Sequence, residues 1–170
     1  MNKYILDTPY PSQEGVIPNR RDLQLILKDY SGIVSEFTAI SQYFYNHLFA
    51  NYSQNEKIGQ ILLQIAIAEM THLNVLGELV INLGGDPKLV FPRECSFNWW
   101  NGGIVTYKKE IKPILKSAIL LEQQTIECYT YHAKIASQQI VSDVLLRIVE
   151  DENLHLKTFC ELLDNINQPF

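Results

Sequence analysis

Four long segments of this sequence repeat apolar residues at intervals of three and four, the spacing of one face of an α-helix. These segments, here called predicted helices 1 to 4, cover residues 20–50, 54–83, 109–137 and 139–164. A long aperiodic stretch, residues 87–108, separates the second segment from the third. Short links favour antiparallel neighbours, and one long link allows a crossover. The pattern predicts an all-α protein, a four-helix bundle with one long crossover between helices 2 and 3.

The ends of these segments carry recognisable signals. Ser53 followed by Glu56 predicts a capping box at the start of predicted helix 2. The sequence Gly84-Gly85-Asp86-Pro87 ends that helix. Residues 1–19 contain three prolines and a glycine, which predicts an irregular N-terminal extension. We therefore expect a single bundle domain over residues 20–165.

Charge and composition exclude several classes of function. The net charge of −5 argues against binding to nucleic acid phosphates. No uninterrupted apolar run is long enough to cross a membrane, and the N-terminus lacks the apolar stretch of a signal peptide. The three cysteines include no Cys-x-x-Cys pair, so neither a disulfide framework nor a knuckle-type metal site is expected. We expect a cytoplasmic protein.

The apolar faces of predicted helices 2 and 4 are each interrupted by Glu-x-x-His. Glu69 and His72 lie within the stripe Ile58, Leu62, Ile65, Leu76, Leu79 and Leu83. Glu152 and His155 lie within the stripe Val141, Leu145, Ile148, Phe159 and Leu162. Predicted helix 1, whose stripe is Ile26, Tyr30, Ile33, Phe37, Ile40, Phe44 and Leu48, carries Glu36 on that face. Predicted helix 3 carries Glu122 between Ala118 and Ile126.

The four glutamates are expected at one level of the bundle. Glu36 and Glu69 are nearly equidistant from the turn between predicted helices 1 and 2, and Glu122 and Glu152 from the turn between 3 and 4. Four buried carboxylates cannot all stay ionised and unpaired, because desolvation costs several kcal/mol per ion. Two divalent cations balance four carboxylates, and oxygen and imidazole ligands suit iron, manganese or zinc. The pattern therefore predicts a two-metal site.

Several neighbouring residues are open to two interpretations. Tyr43 and Tyr129 each follow a glutamate by seven residues, so each is either core packing or a hydroxyl that bonds a ligand carboxylate of a neighbouring helix. Asp151 is either a solvated acid or an outer partner of a ligand histidine. The remaining candidates are interpreted as lying off the site: Glu127, Glu150, His47, His132, Cys128 and Cys160.

Over residues 20–165 this arrangement of Glu and Glu-x-x-His resembles the ferritin-like superfamily. Within it, Tyr30-Ser31-Gly32-Ile33-Val34-Ser35-Glu36 and Ile67-Ala68-Glu69-Met70-Thr71-His72-Leu73 are similar to the rubrerythrin and manganese-catalase-like branch, which includes spore-coat proteins. The resemblance implies two iron or manganese ions and reduction or disproportionation of hydrogen peroxide, or reaction with dioxygen. The implied ligands are Glu36, Glu69, His72, Glu122, Glu152 and His155. Glu69 and Glu152 would bridge the two ions.

Two departures from the family pattern keep other functions open. The rubredoxin-type iron site of rubrerythrins is missing, so a peroxidase reaction would need an external electron donor. Thr125 stands where rubrerythrins have a second glutamate on the third helix, which favours disproportionation and a metal that stays on His72 in both oxidation states. The alternatives are a ferritin-like iron-oxidising or iron-binding protein and a spore-coat-type structural protein. We expect a homodimer.

Overall fold

The computed structural model describes residues 2–93 and 96–167, and its helices form a bundle. The elements are α1 (Arg20–Ser31), α2 (Glu36–Tyr52), α3 (Glu56–Asn82), β1 (Val90–Arg93), β2 (Ser96–Trp99), a 3-10 turn (Gly102–Ile104), α4 (Ile111–Ile135) and α5 (Gln139–Asn167). The most extensive packing joins α2 to α3 and α4 to α5. The prediction of an all-α four-helix bundle with a long crossover is confirmed, with α1 and α2 together forming the first bundle helix.

The first bundle helix is broken, so the prediction of one helix over residues 20–50 is wrong. Gly32 adopts an extended conformation, with φ −76° and ψ −165°. A Cβ at this position would lie 2.4 Å from the carbonyl oxygen of Lys28, which explains the glycine. Ser35 then caps α2, because its hydroxyl oxygen accepts from the Thr38 N–H at 3.3 Å. The break places Glu36 at the first position of α2 and leaves Ile33 59% exposed.

The same break changes the buried face of the first bundle helix. The predicted stripe continued through Phe44 and Leu48, but these side chains are 49% and 51% exposed. Ala39 and Tyr43 face the core instead. A single helical period cannot be carried across an extended residue, because the rotation per residue changes there.

The turn between α2 and α3 also differs from its prediction. Ser53 follows the end of α2 as its C-cap, so the predicted capping box with Glu56 is wrong. Gln54 has a φ of 59°, and the Asn55 N–H donates to the Ala50 carbonyl at 2.9 Å. The chain thus reverses through a left-handed residue, and α3 begins without a side-chain cap.

The crossover contains an antiparallel hairpin that the sequence did not predict. Val90 pairs with Trp99 at one end of it and Arg93 with Ser96 at the other. Hydrogen bonds at three points attach the crossover to the first bundle helix. At one of them, the Thr106 N–H donates to Gln42 Oε1 at 2.7 Å. Ser31 donates to the Val90 carbonyl at 3.0 Å, and the Trp100 indole N–H donates to the Thr38 hydroxyl at 3.0 Å.

The apolar core consists of two clusters on either side of a polar layer. One cluster is built around Tyr43, Leu62, Leu115 and Phe159. The other is built around Ile26, Leu76, Leu79, Tyr129 and Leu145. All these side chains are fully buried, so a polar layer between them is shielded from water on both sides. None of the described helices combines the length and apolarity that crossing a bilayer requires.

Candidate dinuclear metal centre

The polar layer contains all six predicted ligand residues, contributed by four helices. Each is at most 1% exposed: Glu36 from α2, Glu69 and His72 from α3, Glu122 from α4, and Glu152 and His155 from α5. They form two groups of four, and within each group one ligand atom per residue lies within 4.8 Å of the others. The Glu36 subsite consists of Glu36, Glu69, His72 and Glu152, and the Glu122 subsite of Glu69, Glu122, Glu152 and His155. Both groups contain Glu69 and Glu152, so these two could bridge a pair of ions.

The Nδ1 atoms of the two histidines face the carboxylates. His72 Nδ1 lies 2.8 Å from Glu69 Oε2, 3.0 Å from Glu152 Oε1 and 3.5 Å from Glu36 Oε2. His155 Nδ1 lies 3.1 Å from Glu69 Oε1, 3.3 Å from Glu152 Oε2 and 3.9 Å from Glu122 Oε1. One nitrogen thus converges with three carboxylates in each subsite.

The electrostatics of the layer fit cations at its centre. Burial raises the pKa of Glu36 and of Glu122 well above the ordinary value. Burial alone would lower the pKa of His72 and His155, but the neighbouring carboxylates raise both well above the usual range. Burial alone would raise the pKa of Glu152, but the nearby imidazoles of His155 and His72 hold it well below its usual range. Protons therefore compensate the carboxylate charge here, in the role that metal ions can fill.

Unpaired polar atoms give a second indication that the donor set fits metal ions. Glu36 Oε1, Glu69 Oε1, Glu152 Oε1 and His155 Nδ1 are all buried and have no hydrogen-bond partner. Buried polar atoms in proteins are normally paired. These four atoms lie in the same polar layer and are carboxylate oxygens or an imidazole nitrogen, which are ligands that suit iron or manganese ions.

The outer nitrogen of His72 is held by a charged network. Its Nε2 lies 3.2 Å from Asp151 Oδ2, so Nδ1, which faces the glutamates, is the nitrogen that could bind a metal. Asp151 is fully buried and also pairs with Arg147 at 2.9 Å. The Leu6 N–H and the Tyr10 hydroxyl donate to the same carboxylate at 2.9 and 2.8 Å. Burial alone would raise the pKa of Asp151, but these hydrogen bonds lower it to about 2. Of the two interpretations of Asp151, the structure supports the outer partner.

The outer nitrogen of His155 is held by main chain instead. Its Nε2 lies 2.9 Å from the carbonyl oxygen of Tyr4, whose ring packs edge-on against the imidazole. Arg147 fixes this part of the N-terminal segment, since its guanidinium donates to the carbonyls of Leu6 and Thr8 at 3.0 and 2.8 Å. The segment before α1 therefore supports both ligand histidines.

The two tyrosines differ in their hydrogen-bond acceptors. Tyr43 donates to Glu122 Oε1 at 2.6 Å, across the bundle from α2 to α4. Tyr129 donates to the main-chain carbonyl of Asp29 at 2.8 Å. Burial, followed by the charge of Glu36, raises the pKa of Tyr129 well above its usual range. Tyr43 thus bonds a predicted ligand, whereas Tyr129 bonds the backbone of α1.

The residues expected outside the site do lie outside it. Glu127 and Glu150 are exposed, and His47 Nδ1 lies 2.8 Å from the Gly59 carbonyl near the α2–α3 turn. Thr125 is buried, and its hydroxyl donates to the Leu121 carbonyl at 3.0 Å. His132 pairs with Asp29, away from the six residues.

Sequence reasoning missed the contributions of Tyr4, Tyr10 and Arg147. The ion pair between Arg147 and Asp151 could have been predicted, because the two residues are four apart and so lie on the same helical face. The contact of the Tyr4 carbonyl with His155 could not have been predicted, because every residue has a main-chain carbonyl.

Comparisons with known proteins bear on the fold that holds this site. A sequence model of the family described as Ferritin-like matches residues 30–100, which include Glu36, Glu69 and His72. No match was found among curated protein sequences. Among solved structures, a manganese catalase, KatB from Anabaena, superposes with a TM-score of 0.83 at 21% identity, covering 97% of this chain and 82% of that chain.

A second similar structure comes from an iron protein. The bacterioferritin of Desulfovibrio desulfuricans, which has a diiron site, superposes with a TM-score of 0.74 at 24% identity, covering 86% of this chain and 80% of that chain. At these identities the two structures establish the fold. They confirm the ferritin-like fold that the sequence resemblance implies, and the Ferritin-like sequence model matches a part of the chain, residues 30–100.

Proposed function

Because this chain has the ferritin-like fold and its residues 30–100 match that family, we propose that it is a dinuclear metal oxidoreductase that disproportionates hydrogen peroxide. One observation carries the proposal. Two buried groups of ligand atoms have Glu69 and Glu152 in common, and each group adds one histidine and one further glutamate. That donor set would offer four ligand residues to each of two ions, with two carboxylates common to both.

The bound ions would supply the electrons. Held by Glu36, Glu69, His72, Glu122, Glu152 and His155, two iron or manganese ions would supply two-electron redox chemistry. The overall reaction converts two hydrogen peroxide molecules into two waters and one dioxygen. Each cycle thus consumes two peroxides and needs no other reductant.

The protein's own residues would fix the ions and keep the site dry. Glu36 and His72 complete one subsite, and Glu122 and His155 complete the other. Asp151 and the Tyr4 carbonyl hold the histidine Nε2–H groups, so that both rings present Nδ1 inward. Tyr43 keeps one Glu122 oxygen in place through its hydrogen bond. The apolar clusters above and below exclude bulk water.

Thr125 favours disproportionation over a peroxidase reaction that draws on an external donor. Its side chain is shorter than that of a glutamate, and its hydroxyl donates a hydrogen bond to the Leu121 carbonyl. It therefore offers no alternative ligand to an ion. A ligand set that does not change suits ions that cycle on peroxide alone. The manganese catalase structure, with the same fold over 97% of this chain, agrees with that choice.

Iron oxidation is the second candidate, because the bacterioferritin structure has a diiron site on the same fold. The test is oxygen evolution from hydrogen peroxide without reductant, measured on protein loaded separately with manganese and with iron. We expect oxygen at half the molar amount of peroxide consumed. Peroxide consumption that requires a reductant, or uptake of far more than two irons per chain into a hollow assembly, would contradict disproportionation.

A further inference from the structure

A second group of metal-ligating side chains lies outside the candidate dinuclear centre, between α1 and α4. It consists of Asp29 on α1 and of Cys128 and His132 on α4. The Asp29 side chain is fully buried and the His132 side chain is 7% exposed, while Cys128 is partly exposed. Among the described residues, this is the one further group of such atoms within 4.8 Å of one another.

The positions of the three ligand atoms are close to those of a tetrahedral zinc site. Cys128 and His132 are four residues apart, so the thiol and the imidazole share one face of α4. Cys128 Sγ lies 3.9 Å from Asp29 Oδ1 and 3.8 Å from His132 Nδ1, and these last two atoms are 2.7 Å apart. A tetrahedral zinc ion with ordinary bond lengths needs about 3.5 Å for the sulfur edges and about 3.3 Å for the nitrogen–oxygen edge. Small side-chain shifts bridge the difference.

A proton occupies the place between His132 and Asp29 that such a cation would take. Burial raises the pKa of Asp29 to about 6. Burial alone would lower the pKa of His132, but the hydrogen bond to Asp29 raises it to about 10. A bound cation would displace this proton and that of the Cys128 thiol into solvent.

We propose that Asp29, Cys128 and His132 bind one divalent cation of the zinc class, with water as the fourth ligand. A thiolate, an imidazole and a carboxylate together favour zinc over manganese, magnesium or calcium. This set differs from the six residues of the dinuclear centre, which include no sulfur.

The cation would tie α1 to α4. The Asp29–His132 pair and the Tyr129 hydroxyl, which donates to the Asp29 carbonyl, already join these two helices. The Asp22 carboxylate of α1 also accepts from the N–H groups of Ser137 and Gln138, in the link that follows α4. Since α1 ends one short break before Glu36, the ion would also stabilise the start of α2.

The test uses the thiolate as a spectroscopic reporter. One variant, Cys95→Ser with Cys160→Ser, keeps Cys128 as the sole cysteine of the chain. The matched control, Cys128→Ser, keeps the other two. Metal-free samples of both are titrated with cobalt(II), which gives a near-ultraviolet charge-transfer band only with a thiolate ligand. The dinuclear centre cannot produce that band, because its ligands are oxygen and nitrogen.

We expect the band in the first variant and in the wild type, and its loss in Cys128→Ser. Equilibrium dialysis against zinc should give about one ion per chain more in the first variant than in the control. Circular dichroism checks that both variants fold. If the double variant does not fold, the cobalt(II) band of the wild type is compared with that of Cys128→Ser instead. No band in the wild type, or an equal band in Cys128→Ser, would overturn the proposal and leave Asp29 and His132 as an ion pair only. Peroxide turnover is not part of the readout, so the proposed function can fail without affecting this result.

Discussion

The two subsites have matching ligands but different supports. In the Glu36 subsite, the outer nitrogen of His72 meets a carboxylate, Asp151, that is itself paired with Arg147. In the Glu122 subsite, the outer nitrogen of His155 meets a main-chain carbonyl, and a tyrosine hydroxyl holds the glutamate. A carboxylate makes its histidine more basic than a carbonyl does. A single substitution can therefore weaken the support of His72, whereas that of His155 persists through any side-chain change at Tyr4.

The largest effect is expected from removing a bridging carboxylate, because both subsites would then lose their ions and could no longer differ. Glu152→Ala should lose both ions, because both subsites contain Glu152. Peroxide activity should fall to background, while Glu36→Ala and Glu122→Ala should each lose one ion. Metal analysis after dialysis measures the stoichiometry. Glu127→Ala is the matched control, since Glu127 is exposed on α4. A Glu152→Ala protein that keeps both ions would contradict the bridging assignment.

The grouping of the six predicted ligand residues in one layer could be predicted from sequence, whereas the residues that support their side chains could not. The ligands interrupt apolar stripes on α3 and α5, and that periodicity is readable without a structure. The break at Gly32 was not, because a glycine inside a helical pattern is usually tolerated. The hairpin β1–β2 was missed because its segment has no alternating pattern. The Tyr4 carbonyl depends on the path of an irregular segment, which tertiary contacts determine.

The next largest effect is expected from Asp151→Asn, which should weaken one subsite more than the other. Loss of an outer carboxylate typically costs 10- to 100-fold in metal affinity. The change also removes the charge partner of buried Arg147, which should lower the free energy of unfolding by about 3 kcal/mol. Metal titration should resolve one weakened and one nearly unchanged ion, and thermal unfolding reports the stability. Asp143→Asn, exposed on the same helix, is the control. Equal weakening of both ions would remove the distinction between the subsites.

A smaller effect is expected from the two tyrosines, and it should differ between them. Tyr43→Phe removes the donor to Glu122, so the affinity of the Glu122 subsite should fall by about fivefold, close to 1 kcal/mol. Tyr129→Phe removes a bond to the Asp29 carbonyl, so it should cost about 1 kcal/mol of stability and leave metal affinity unchanged. Metal titration and thermal unfolding of both variants separate the two outcomes. If Tyr129→Phe weakens metal binding as much as Tyr43→Phe does, the tyrosines have equivalent roles.

The smallest effect is expected at Thr125. Neither subsite should exchange a ligand when the oxidation state of its ion changes. The Thr125 hydroxyl already donates to the Leu121 carbonyl, and its side chain cannot replace a carboxylate as a ligand. Thr125→Val should therefore change peroxide activity by less than about twofold and stability by less than about 1 kcal/mol. For the same reason, the ion of the Glu36 subsite should remain on His72 in both oxidation states. Crystal structures of oxidised and reduced wild-type protein in one crystal form measure this directly. An ion that leaves His72 and approaches α4 on reduction would show that a ligand exchange occurs without the second glutamate, and would remove the reason for preferring disproportionation.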